Sequence, residues 1–528
     1  MKKTVTSFPI ILLTTVTITG CSLSANTDTS EETKDSLTMS WPQDIGELDP
    51  HSYAPNEMFA QNLVYDSLVL YDKDGEIQPH LAKEWEVADD GKEYIFTLRD
   101  DVVFSDNTVF NAEIVKKNFD HVLAEKEDHS WLELVNQIED TKVIDERTFS
   151  ISLKNPYYPL LQELALVRPF RFLGASGFNE NGAGIDEPIG TGAWVLKEYR
   201  QNDRAVFERN ENYWGEKPDF EELIVKVIPD NETRVIEFEN ESIDLIYGNG
   251  LISLDAYEYI KDSDTYETGL SDPMGTRTLA INSDRGPTKD IEVRQALNHA
   301  LDKSMVIEGI LHGTEKKADT LFAPNVPYSD LDLPPYEYDS GKAEALLEEA
   351  GWQQSDESDY RMKDEEELVL ELSFDYNNHL QKAIAEFMQG EFREMGINLI
   401  LLGEEEQSYL NRQKTGDFHL IFNNTWGAPY DPHSFVSSMR TPSHADYAAQ
   451  AGLPMKEEID EKISEVLTTL EEGPRQELYE DILSTLHEQA VYLPISYTTN
   501  IAAYHPHVQG VDYSPVEYEF KLEEIELK

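Results

Sequence analysis

Three features of the sequence predict an α/β protein of two lobes joined by a hinge. The first is a helix that feeds a strand within residues 375–402. Leu380, Ile384, Phe387 and Met388 recur there at helical spacing, and Ile397-Asn398-Leu399-Ile400-Leu401-Leu402 follows as a buried strand. The second is a change of character near residues 270–290: strands and turns dominate before it, and long helices alternate with short strands from there to about residue 500. The third is the tail, 500–528, which is strand-like again and carries Pro506 and Pro515. A chain that leaves one lobe, builds another and returns accounts for all three. The first lobe is then residues 37–276, the second 277–499, and 500–528 is the return to the first.

From the N-terminus, residues 1–21 read as an export signal. Lys2 and Lys3 open it, a mostly apolar run from Phe8 to Thr19 follows, and Ile18-Thr19-Gly20-Cys21 closes it. The run is too short to persist as a bilayer-spanning helix, which needs about 20 apolar residues. Cys21 is the sole cysteine, and the small residues before it resemble a lipobox, where a bacterial lipoprotein is cleaved and acylated. The competing reading is an ordinary buried cysteine behind a conventional signal. Acylation at Cys21 tethers the chain to the extracytoplasmic face of the cell membrane, the periplasmic side if the host has an outer membrane. It leaves no thiol for a disulfide or a metal. Residues 22–36, SLSANTDTSEETKDS, are polar, acidic and free of aromatics, a disordered tether. Alternating apolar residues predict strands at 37–41, 93–98, 148–153 and 223–228. Helical periodicity predicts helices at 292–301 and 341–350, the second with Gly351 as its C-cap.

With 103 acidic against 43 basic residues the formal charge is −60, which excludes nucleic acid and anionic lipid as partners for the surface as a whole. Forty per cent hydrophobic residues and 26 tyrosines predict packed cores that need no covalent staple. Catalysis is not expected. No His-Glu-x-x-His occurs, Gly174-Ala175-Ser176-Gly177 lacks the second glycine of a nucleophile elbow, and no acid–base pair stands out among the many carboxylates. Gly190-Thr191-Gly192 is followed by neither a lysine-serine nor a helix start, so it is no phosphate loop; its glycines suit a tight turn before a strand.

The stretch PIGTGAWVLKEYRQNDRAVFERNENYWGEKPDFEELIVKVIPDNETRVIEFENESIDLIYG, at 188–248, resembles the signature of extracytoplasmic solute-binding proteins of the peptide/nickel class, the capture subunits of ABC importers. Further similar stretches, including those at 41–68, 130–143, 157–172, 319–328, 425–446 and 490–497, extend the resemblance over nearly the whole mature chain and point to the nickel branch. The resemblance implies a periplasmic-binding-protein-like fold with an extra small domain in the first lobe, within about residues 70–200. The ligand lies in the interlobe cleft, and a permease is the partner. It implies capture of nickel as a small-molecule chelate, such as a histidine or metallophore complex, by a monomer. Capture of short peptides, haem or another chelated transition metal is the alternative.

Nickel suits imidazole nitrogen and carboxylate oxygen. Among thirteen histidines, His444 lies in the turn-rich Thr441-Pro442-Ser443-His444-Ala445-Asp446, which exposes the ring as either a ligand or a plain surface group. The resemblance makes it the metal ligand. Arg168 follows the apolar run Leu160–Val167, and its guanidinium is either a bidentate fork for a chelator's carboxylates or half of a lobe-stabilising salt bridge. By the same resemblance Trp131, Trp426, Tyr430 and Tyr53 wall the ligand and Met58 adds a soft contact. His505 and His507, flanking Pro506, form a His-x-His pair that could chelate or lie at the surface. His51 and His433 read as structural. The chain departs from its relatives at Asp128, where they carry a second cation, and at Leu410, where an aromatic is expected.

Overall fold

The computed structural model describes residues 35–52, 58–72, 75–129, 131–179, 184–356, 358–426, 431–513 and 519–528; the export signal, Cys21 and nearly all of the acidic tether lie outside these. A seven-stranded sheet organises the first lobe, in the spatial order Glu267–Leu270, Ile501–Tyr504, Leu245–Gly248, Ser36–Trp41, Glu222–Val227, Arg204–Arg209, Trp194–Arg200. Ser36–Trp41 runs parallel to both neighbours, with Met39 opposite Val225 on one side and Leu245 on the other. Leu37 and Met39 alternate inward on it and pack with Leu223, Val225 and Phe207 in one apolar cluster. Ile501–Tyr504 pairs antiparallel with two strands at once, so the sheet incorporates a segment from near the chain's end.

A six-stranded sheet organises the second lobe, in the order Lys316–Lys317, Tyr492–Thr498, Gly275–Ile281, Leu420–Asn424, Val369–Asp375, Asn398–Glu404. Its last two strands are parallel, and helix His379–Glu394 makes the crossover between them. This is the helix–strand unit legible in the sequence; Ile384, Met388 and Phe392 bury its inner face. Helix Ser340–Glu349 stops where expected, with Gly351 at φ +90 just beyond it. The chain passes between the two sheets twice, from Leu270 to Gly275 and from Thr498 to Ile501. These crossings run side by side: Ser271 N–H donates to Asn500 O at 3.0 Å and Met274 N–H to Thr498 O at 2.9 Å. Two short adjacent connections make a hinge.

A third sheet is inserted in the chain between strands of the first. It is antiparallel and four-stranded, in the order Ala82–Val87, Glu93–Leu98, Thr148–Leu153, Ile138–Asp145. Helix Ala112–Ala124, capped by Asn111 accepting from Ile114 N–H, contributes Val115, Phe119 and Val122 to the core that holds Phe96, Phe149 and Ile151. That core is continuous with Phe435, Val466 and Tyr479 from the second lobe's helices.

Gly190 and Gly192 lead into strand Trp194–Arg200 through a bend over residues 191–193, as predicted. Neither is among the residues with a positive φ, and crowding is what requires glycine at both. The chain entering strand Trp194–Arg200 runs against the end of helix Met58–Val64, and Gly192 N–H donates to Val64 O at 2.9 Å. A Cβ on Gly190 would lie 1.9 Å from Val64 O. Gly190→Ala is therefore expected to destabilise the first lobe by at least about 1–3 kcal/mol, as overpacking does. Urea denaturation measures this, and an unchanged midpoint would contradict the close approach.

Candidate functional site

A cavity of about 250 Å³ lies beside the hinge. Met274 and Thr498 reach it from the crossings, Arg277 from strand Gly275–Ile281, Phe322 and Val326 from the loop after Lys316–Lys317, and Trp426 and Asp431 from the segment after Leu420–Asn424. Arg277 is already neutralised: its guanidinium meets Glu315 at 2.7 Å, both nearly buried, and Ser496 donates to the same carboxylate.

Trp426 leads from the cavity to His444. Their ring centroids are 5.0 Å apart, and the buried Trp426 indole N–H has no hydrogen-bond partner among the described residues. His444 precedes helix Ala445–Gln450 as its N-cap residue, yet its side chain makes no capping bond, so the imidazole is not committed to the helix. Its Nδ1 lies 3.0 Å from Ser443 Oγ. Burial holds its pKa below the ordinary imidazole value, keeping the ring neutral. With Nδ1–H donating to Ser443, Nε2 presents a lone pair, the form a metal requires. The loop is pinned by Asp446, whose Oδ1 accepts from Asn423 Nδ2 at 2.8 Å and from Tyr492 O–H at 2.9 Å. Burial pushes this carboxyl up to about 7.

Arg168 lies just beyond helix Leu160–Leu164 and is 7% exposed. Its guanidinium carbon is 5.6 Å from the Trp131 ring centroid, a cation–π contact. Trp131 and Trp426 pack against the same apolar cluster. The structure thus groups four predicted residues into two pairs, Trp131 with Arg168 and Trp426 with His444. Met58 opens helix Met58–Val64 in the first lobe and is half-buried. Tyr53 and Tyr430 lie outside the described residues.

The other histidines are engaged elsewhere. His505 Nε2 meets Phe238 O at 2.9 Å and His507 Nε2 meets Asp244 Oδ1 at 3.0 Å, so this pair ties the return segment to the first lobe. His51 is buried with Nε2 2.8 Å from Asn118 Oδ1; burial and the neighbouring His121 push its pKa down to about 3. His433 is fully buried between Asp431 and Glu163. Asp128 is exposed, as is Leu410, while Tyr409 is buried and donates to Phe422 O. His129 went unnoticed in the sequence because its polar, acidic surroundings read as a surface loop. It is 2% exposed, its Nε2 has no hydrogen-bond partner among the described residues, and burial, with Arg168 adding to it, lowers its pKa against the pull of Asp128 and Glu125. Among the described residues no three His, Cys, Asp or Glu side chains are placed to hold a metal ion together.

The profile of the bacterial extracellular solute-binding proteins, family 5, matches residues 76–447. The nickel-binding periplasmic protein of Escherichia coli strain K12 is 50% identical over 494 residues, 93% of this chain and 94% of that one. The dipeptide-binding protein of the same organism is 26% identical over 88% of this chain and 91% of its own. Among solved structures, NikA from Brucella suis in complex with Fe(III)-EDTA superposes with a TM-score of 0.91 at 50% identity, covering 93% of this chain and all of that one. The two-lobe architecture, the cavity at the hinge and these matches agree: the chain belongs to the bacterial extracellular solute-binding proteins of family 5.

Proposed function

We propose that this protein is the extracytoplasmic capture subunit of an ABC importer and that its cargo is nickel wrapped in a small chelator, histidine or another amino- and carboxylate-bearing metallophore. The observation that carries the reading is His444: an imidazole beside the cavity-lining Trp426, with Nδ1 3.0 Å from Ser443 Oγ, a contact that leaves Nε2 for a metal when Nδ1–H is the donor. One imidazole does not complete a nickel shell, so the remaining donors come from the chelator. Arg168 offers a permanently charged fork to the chelator's free carboxylate, and Trp131 and Trp426 flank its body, joined by Tyr53, Tyr430 and Met58. The nickel-binding function of the E. coli relative supports the cargo, and the Fe(III)-EDTA in the Brucella structure supports a cleft suited to a wrapped metal.

Calorimetric titration of the unliganded protein with nickel plus L-histidine, nickel alone, and di- and oligopeptides tests the reading. Tight binding of the nickel–histidine complex is expected. Peptide binding with no response to chelated nickel would overturn it. Arg168→Ala is expected to cost about 1.5–3 kcal/mol, roughly 10- to 150-fold in affinity, for complexes with a free carboxylate. Complexes without one should change little, and equal losses for both would assign Arg168 to structure.

The protein works as a monomer, delivering its cargo to the permease from a lipid anchor at Cys21. Among the described residues no helix is long and apolar enough to cross a membrane. Mass spectrometry of the N-terminal peptide is expected to find Cys21 acylated, and Cys21→Ser to release the protein from the membrane fraction. An unmodified Cys21 would exclude the anchor.

A further inference from the structure

Beside the cavity, a buried polar network joins the segment carrying Trp131 and Arg168 to the segment carrying Trp426. Glu163 Oε2 accepts from Leu134 N–H at 2.8 Å, three residues from Trp131, and Glu163 itself is five residues from Arg168. Its Oε1 accepts from Tyr157 O–H at 2.7 Å and lies 3.2 Å from His433 Nε2. His433 Nδ1 lies 2.9 Å from Asp431 Oδ1, and the same oxygen accepts from Tyr158 O–H at 2.8 Å. Tyr479 is 2.6 Å from the Tyr158 hydroxyl, so its O–H donates there, and Tyr158 N–H donates to Leu467 O at 3.2 Å. Glu163, Tyr158, Asp431, His433 and Tyr479 are each 7% exposed or less.

Tyr157, Tyr158 and Glu163 follow directly on the four-stranded sheet, whereas Asp431, His433, Leu467 and Tyr479 belong to the second lobe. The bonds Tyr158–Asp431, Tyr158–Tyr479, Tyr158–Leu467 and Glu163–His433 therefore all cross between the parts of the molecule that bear the two candidate site pairs. Asp431 also lines the cavity. A nearby contact adds to the crossing: the Gly91 turn between the first two strands of the four-stranded sheet packs directly on Leu470. The junction is set in the continuous apolar core that the third sheet shares with the second lobe's helices, but its own bonding groups are hydroxyls, carboxylates and an imidazole. Each of those groups finds water where the two sides part, so the polar contacts can form and dissolve without stranding a buried charge.

We propose that this network is a clasp across the cleft. It holds the Trp131–Arg168 pair in register with the Trp426–His444 pair when the lobes close, and so sets how long a captured complex stays. Tyr158, Glu163 and His433 are positioning residues; none is asked to touch cargo. The ligand arm of the proposal rests on the capture reading above, while its conformational arm does not.

The test uses the full chain and two variants, Tyr158→Phe, which removes one hydroxyl and preserves shape, and Glu163→Gln, which removes one charge. Stopped-flow with a nickel–L-histidine complex is expected to give a dissociation rate raised about 5- to 10-fold in each variant, with the association rate within twofold of wild type. Spin labels at Glu139→Cys and Glu461→Cys, both exposed sites, in a Cys21→Ser background report the separation of the two sides without ligand. Both variants are expected to shift the distance distribution to longer values. Unchanged dissociation rates in both variants, with wild type binding normally, would overturn the clasp and leave the capture reading standing. A lowered melting temperature with unchanged dissociation rates would make the network structural glue and also overturn it. If wild type binds no nickel complex, the capture reading fails, and the distance measurement alone decides: identical distributions overturn the clasp, longer ones sustain it.

Discussion

His444→Ala is expected to lower affinity for a nickel–histidine complex by at least about 100-fold in calorimetric titration. The size follows from what the side chain would supply. Loss of a group that merely orients a metal ligand typically costs about 10- to 100-fold, and in the proposed site His444 is the donor itself. Among the described residues no three His, Cys, Asp or Glu side chains are placed to hold the metal in its stead. Stability should hardly change. The imidazole makes no capping bond, is only half-buried, and its polar partner among the described residues, Ser443, is exposed. The loop keeps its position through Asp446, Asn423 and Tyr492, which the substitution leaves alone. The variant should therefore melt with the wild type while its bound nickel loses one nitrogen donor by X-ray absorption. Unchanged affinity would remove His444 from the site, and a large fall in melting temperature would make it a structural residue.

His433→Ala is expected to destabilise the protein by about 3–5 kcal/mol at pH 6.5 in urea denaturation, the cost of breaking a buried charge pair from one side. The imidazole sits between Asp431 and Glu163, and its removal leaves two buried carboxylates facing each other without a cation. Burial alone would lower its pKa, but Asp431 and Glu163 outweigh burial and push it up to about 9. The folded imidazole thus keeps its proton to about pH 9, whereas the unfolded one releases it near 6.5. The contribution is complete below pH 6.5 and is lost as pH climbs through 9, so the wild-type advantage over His433→Ala should narrow across that window. A loss under about 1 kcal/mol, or an advantage that grows with pH, would mean that the imidazole is neutral in the fold.

Local pattern carried the parts of this structure that depend on local pattern. Strands Glu93–Leu98 and Thr148–Leu153 fall at their predicted bounds because Tyr94, Phe96 and Leu98, or Phe149, Ile151 and Leu153, alternate cleanly toward one core. Helix Ile291–His299 starts one residue and ends two residues away from its predicted bounds, at termini that periodicity defines poorly. What pattern did not reveal comes from long-range encounters. His433 read only as structural among turn-like neighbours, and its ion pair was not legible because its partner Glu163 is remote in sequence. His505 and His507 looked like a possible chelate because the sequence does not reveal that Phe238 O and Asp244 occupy their nitrogens. That crowding requires glycine at 190 could not be read locally, because the carbonyl of Val64 is invisible until the helix docks. At the candidate site, pattern supplied residue types and resemblance supplied positions. The pairing of Trp131 with Arg168 and of Trp426 with His444 emerged only from the packing.

Strand Ile501–Tyr504 wedges between two strands made near the chain's midpoint and pairs with both. Until residues 501–504 are in place, that slot stays vacant and two rows of backbone amides and carbonyls go unmatched. The first sheet therefore cannot close before this late segment of the chain arrives. It also makes the architecture self-auditing: a product that lacks residues 501–504 loses its keystone and presents raw edges to proteases.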